Sequence, residues 1–168
     1  VLFRSTGGII VGIILLIAVM ISSSYNGLIN KQEEVEGKLA DISVQLERRA
    51  DLIPNLVSTV KGYASHEKEI IDSITTSREK LLNSNTPEDM ANANQDLTDA
   101  INNLLVIVEN YPDLKANTNF IQLQDELAGT ENRIAVARKD YNDAVKSYNK
   151  MVKTFPRNVL AGMFGFDE

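Results

Sequence analysis

Cysteine is absent from the 168-residue chain, and histidine occurs once, as His66. The first absence removes disulfides, thiolate metal sites and cysteine nucleophiles together, while leaving the redox compartment open. A lone imidazole rules out every site built on two. The di-iron carboxylate centre of helical bundles needs two Glu-x-x-His pairs, and here Tyr63, not a glutamate, lies three residues before His66. His66-Glu67-Lys68-Glu69 therefore reads as a polar helix face or a cap near Ser65. No Gly-x-Ser-x-Gly elbow, Walker loop or Gly-x-Gly-x-x-Gly cradle occurs. The carboxylates are dispersed, so no acid and base pair stands out. Positive charge is also short: 17 Lys and Arg against 23 Asp and Glu, a net charge of −6. An acidic chain without a basic stripe argues against nucleic acid as partner. The reading is a protein that is not an enzyme, with no catalytic residue, no cofactor and no metal ligand.

Charge is missing altogether between Arg4 and Lys31, and inside that window residues 7–21 form the unbroken apolar run GGIIVGIILLIAVMI. As a helix the run spans roughly 22 Å, short of the ~30 Å hydrocarbon core. Ser5, Thr6 and Ser22 to Ser24 extend it, Arg4 can snorkel, and Tyr25 suits an interface. A cleaved signal peptide has a similar apolar length, but helical periodicity resumes at once after the run. A single-pass transmembrane anchor over residues 7–24 is the expectation. Val rather than Met at position 1 suggests that the natural start lies upstream. The bundle that follows is expected outside the cytoplasm of a bacterial cell membrane, because a start-proximal anchor resembles an uncleaved secretory signal.

Residues 25–155 read as helix throughout. Leu28, Val35, Ile42, Leu56, Tyr63 and Ile70 recur at sevens, with Leu39, Leu46, Ile53, Val60, Ile74 and Leu81 at the interleaved position. This a/d pattern predicts a helix over 27–83, or two helices in one register. Pro54 bends it or breaks it, and Gly62 followed by Ser65 offers a second break. Thr86-Pro87-Glu88-Asp89 has the form of a helix start, with Thr as N-cap, Pro at the first position and acids in the first turn. Met90, Ala93, Leu97, Ile101, Leu104 and Val108 then step by three and four until Tyr111-Pro112. Asn117-Thr118-Asn119 reopens the helix, whose stripe runs from Phe120 through Leu127, Ile134 and Tyr148 to Phe155. Short connections make neighbouring helices antiparallel. The fold class is all-α: an N-terminal transmembrane helix, then an elongated up-and-down bundle of three long helices, four if the first is broken, and an apolar tail over 156–168.

Several stretches together are specific. VQLERRADLIPNLVSTVKGYASHEKEI (44–70), ENYPDLKANTNFIQLQDELAGTENRIAVARKDYNDAVKSYN (109–149), the terminal FPRNVLAGMFGF (155–166) and SSYNGL after the anchor occur in order. The chain resembles the LemA family of bacterial membrane proteins over essentially its whole length. The resemblance implies an N-terminally anchored four-helix bundle and so favours a break in the first long helix. It implies little about chemistry. The chain departs from the family in its unusual start and in stopping at Asp167-Glu168, where relatives run on.

Three features invite a role. Arg49 at an a position and Glu67 at a d position are polar where apolar residues belong. Either Arg49 forms an inward pair with an acid of the last helix such as Glu131, or Pro54 rotates the helix and turns it to solvent. Gly8 and Gly12 have the Gly-x-x-x-Gly spacing that lets membrane helices approach closely, although glycine is common in such helices. The tail, with Phe164 and Phe166, is too apolar to stay in water. It folds back, lies on the membrane or docks on a neighbouring copy, and its scarcity of basic residues favours docking within or between subunits. These features suggest a self-assembling scaffold or interaction module in contact with membrane lipid, as a homo-oligomer or with a membrane-protein partner. The alternatives are an accessory subunit of a membrane enzyme such as a protease, or a lipid or acyl-chain binder.

Overall fold

The computed structural model describes residues 2–168, with side chains from Thr6 onward, so the expectation that Arg4 snorkels lies outside the described side chains. Six helices and no strand occur among the described residues: α1 (Leu2–Lys61), α2 (Lys68–Leu82), α3 (Pro87–Val108), α4 (Pro112–Lys115), α5 (Thr118–Lys153) and α6 (Arg157–Phe164). Residues Leu39–Lys139 form one compact unit and the remainder another, with α1 and α5 contributing to both.

The 39–139 unit is a four-helix bundle built from α1, α2, α3 and α5. Its core follows the heptad pattern: Ile42, Leu46, Ile53, Leu56 and Val60 of α1 are buried, as are Ile70, Ile74 and Leu81 of α2. Each such side chain contributes about 1.5–3 kcal/mol by leaving water. The break between the first two helices falls at Gly62. There Tyr63 and Ala64 N–H close onto the Val60 carbonyl at 3.1 and 2.8 Å, and Ala64 is buried. Tyr63, expected on the packing stripe, is exposed in this turn. Glu67 also leaves the stripe, since it occupies the N-cap position of α2. Thr86 caps α3 by accepting the Asp89 N–H at 3.1 Å, with Pro87 in the first turn. Asn117 caps α5 through the Phe120 N–H at 2.9 Å, and the single turn of α4 buries Leu114.

Pro54 does not break α1. Proline has no N–H, so the carbonyl of Ala50, four residues earlier, loses its helical donor. A buried carbonyl without a partner costs about 1–3 kcal/mol. Arg78 of α2 answers it: its Nε donates to the Ala50 carbonyl oxygen at 2.9 Å. The proline ring itself lies on the exposed side of α1, where it displaces no packing. An interhelical hydrogen bond thus replaces the missing intrahelical one, and α1 continues for two more turns to Lys61.

The second unit contains α1 up to Lys38, α5 from Asp140, and α6. Leu28, Ala161 and Phe166 form its core, with Ile29, Tyr148, Met151 and Val152 packed around them. The tail is helical in α6 and closes with Gly165 in the left-handed region, at φ 74°. The Phe166 N–H reaches back to the Ala161 carbonyl at 2.9 Å. This is the Schellman closure, in which the residue after the glycine returns to touch the last turn. Phe155, expected at the end of the α5 stripe, lies beyond Lys153 and is 79 % exposed, because the helix stops before its turn is complete. Before Tyr25, residues from Ile9 to Met20 are exposed. That part of α1 is long and apolar enough to cross a membrane, with none of its most apolar window buried by the protein.

The bridge between Arg78 and Ala50 gives a test. Arg78→Met should cost about 1–2 kcal/mol of stability by orphaning that carbonyl. In a Pro54→Ala background, where residue 54 regains its N–H, most of that cost should disappear. Thermal unfolding of the four members of this cycle, followed by circular dichroism, reads the difference. Equal costs in both backgrounds would refute the compensation.

Candidate functional site

Arg49 is the most deeply buried charged residue of the 39–139 unit, 1 % exposed. Its Nη1 donates to Asn94 Oδ1 in a short hydrogen bond, to Thr98 Oγ1 at 3.0 Å and, weakly, to the Asn94 carbonyl at 3.5 Å. Nη2 reaches Glu131 Oε2 at 3.4 Å. Nε has no partner. Asn94 and Thr98 are four apart on α3, hence on one face, while Glu131 comes from α5. The structure therefore brings Arg49 and Glu131 together; Thr98 bonds to both and Asn94 to Arg49, and the sequence reading names neither. The available signal is that Asn94 and Thr98 each directly follow a stripe residue, Ala93 and Leu97.

Thr98 shares its hydroxyl among three neighbours. While it accepts from Arg49, its one proton serves either the Asn94 carbonyl at 3.0 Å or Glu131 Oε1 at 3.1 Å. Burial pulls the Arg49 guanidinium below its usual pKa, and the Glu131 carboxylate partly restores it. A guanidinium nonetheless stays protonated at any physiological pH, so this group moves no proton. Glu131 is 45 % exposed at its side chain, which leaves the positive charge buried and its counter-charge half in water. Desolvation of such a pair offsets much of its attraction, and the arrangement contributes register more than stability.

Where α1 meets α2, Tyr111 donates its hydroxyl to Glu67 Oε1 at 2.7 Å. That bond holds the Tyr111 phenol above its usual pKa. Asn117 Nδ2 donates to Tyr63 Oη at 3.0 Å, and Asn119 Nδ2 to Thr59 Oγ1 at 2.9 Å. His66 is exposed in the turn before α2. A groove of about 430 Å³ beside Pro54 is lined by Ile53 and Val57 together with Lys61, Thr75 and Arg78.

In the other unit, Gly8 and Gly12 lie on open helix surface, where an added Cβ would meet nothing within 4 Å. Phe166 is 9 % exposed and seated in its own chain against Leu28 and Ala161. Phe164 remains 49 % exposed. Both rings stand edge-on to Tyr25, with centroids 5.1 Å away for Phe164 and 5.8 Å for Phe166. Burial, with the nearby Asp167 carboxylate, raises the Tyr148 phenol above its usual pKa.

The family model described as the LemA family matches residues 38–168. Magnetosome protein MamQ 2 of Paramagnetospirillum magneticum is 24 % identical over 84 % of this chain and 62 % of its own length. Protein LemA of Metamycoplasma hominis is 27 % identical over 81 % of this chain and 63 % of its own. Magnetosome protein MamQ of Magnetospirillum gryphiswaldense is 22 % identical, with 84 % and 62 % covered. The chain spans about three-fifths of the length of these curated relatives. It belongs to the LemA family.

Arg49→Met leaves buried Asn94 without its donor and should lower stability by about 1–3 kcal/mol. Glu131→Gln should cost less in that background than in the wild type, because its charge no longer faces a guanidinium. Melting temperatures of the single and double variants check both statements. A near-zero shift for Arg49→Met would contradict the network as described.

Proposed function

We propose that this LemA-family protein is a non-catalytic, single-pass membrane protein whose helical bundle self-associates and serves as a scaffold or interaction module at the bacterial cell membrane. The observation that carries the reading is the course of α1. One uninterrupted helix leads from a fully exposed, uncharged apolar segment into the packed stripe that begins at Leu28. Lipid cannot hydrogen-bond a backbone, so a continuous helix is the form such a segment needs. In this reading the bundle lies on the extracytoplasmic side of the membrane.

The polar chemistry supports a structural role. Arg49, the group best placed to hold an anion, gives its two terminal nitrogens to neighbours in the same chain. Several relatives are magnetosome proteins by name. Self-association through the anchor is the specific mechanism, with Gly8 and Gly12 as the surface of close approach. Their open surroundings mean that a larger side chain disturbs nothing within one protomer.

The chain has no cysteine, which makes cross-linking clean. A single Leu16→Cys variant, one turn beyond Gly12, should give an oxidised dimer in native membranes, and adding Gly12→Leu should abolish it. A dimer band indifferent to Gly12→Leu would overturn the anchor contact. Cross-links exclusively to an unrelated protein would favour an accessory-subunit role instead.

A further inference from the structure

The tail presents two faces with different fates. Leu160 and Ala161 of α6 are buried within the protein, whereas Val159, Met163 and Phe164 are exposed, Met163 at 72 %. Val159 and Met163 are one turn apart and share a side of the helix. Phe155, just before α6, is more exposed still. Asn158 and Gly162 are the other exposed residues of this helix, and its single charge is Arg157 at the start. Such an apolar face is out of place in water.

Its position says what covers it. About 20 helical residues, at ~1.5 Å each, cross the ~30 Å hydrocarbon core. Counted from Gly7, that length ends next to Tyr25, at the depth where tyrosine rings settle. Phe164 and Phe166 both stand in ring contact with Tyr25, and Ala161 packs with Leu28 less than a turn further along. The exposed face of α6 thus adjoins the lipid-facing surface of α1.

We propose that α6 is a second membrane contact, seated in the headgroup–acyl boundary beside the anchor with Val159, Met163 and Phe164 turned into lipid. The inference rests on the reading that α1 crosses the bilayer. Interfacial helices sink their apolar side about 5–10 Å into this boundary. Because α6 carries one charge, the seating needs no anionic lipid, and a zwitterionic bilayer suffices. The Schellman closure at Gly165 is the clasp: it turns Phe166 onto Leu28 and holds the outer face of α6 toward the bilayer.

The chain lacks tryptophan, so one introduced indole is the sole emitter of its kind. Met163→Trp in the full chain, reconstituted in phosphatidylcholine vesicles containing dibrominated phosphatidylcholine, should emit blue-shifted light and lose intensity to the bromines. Leu15→Trp, within the anchor, reports insertion of α1 and should be quenched comparably. Val136→Trp, on an exposed position of the bundle, should not be quenched. Quenching at Leu15→Trp without quenching at Met163→Trp overturns the seating of α6 and leaves the anchor standing. A blue shift at Met163→Trp without quenching means that protein covers the face, and overturns it too. Absence of quenching at both positions removes the anchor reading and the α6 proposal with it.

Discussion

Two adjacent residues in the middle of α1 carry a polar tie to each of its partner helices in the bundle. Ala50 offers the carbonyl that Pro54 orphans, and Arg78 of α2 takes it. Arg49 reaches Asn94 and Thr98 of α3 and Glu131 of α5. The obligation to satisfy buried backbone and charged groups therefore fixes all three neighbours at one level of α1. The apolar stripes supply most of the free energy of packing, but Leu and Ile at regular spacing accept a shift by one turn with little penalty. A guanidinium that must meet an amide, a hydroxyl and a carboxylate does not.

The same logic explains how α1 tolerates a proline. An interior proline usually ends or kinks a helix, at a cost of about 3 kcal/mol or more. Here the ring points to solvent and the lost bond is replaced from α2. Helix α1 is assigned without a break from Leu2 to Lys61, across the position of Pro54. A scaffold needs a defined shape more than a reactive group, and buried polar pins serve that need at some expense of stability.

Much of this was legible in the residues. The a/d pattern marked the buried face of α1 and α2, and the Thr86-Pro87 and Asn117 starts were visible from capping chemistry alone. The choice between Pro54 and Gly62 as the break was not, because it turns on Arg78, which is 24 positions away from Pro54 in the chain and whose reach depends on how α2 folds back. The LemA resemblance favoured a break without locating it. The heptad count runs straight through the turn and so places Glu67 and Tyr63 on the stripe. Arg49 and Glu131 stood out as polar residues on or near a stripe, whereas Asn94 and Thr98 looked like ordinary helix surface. Phe155 leaves the stripe for a local reason, since α5 ends just before it. That α6 is a helix follows from no periodicity in so short a segment, which Pro156 opens and Gly165 closes.

Unit by unit, the molecule combines a pinned helical bundle with an apolar helix whose exit is clasped by its own C-terminus. The proposed self-association has a direct reading. The mass of the solubilised full chain, measured by light scattering or mass photometry with bound lipid retained, should correspond to a discrete homo-oligomer. A monomer under those conditions would contradict the scaffold account.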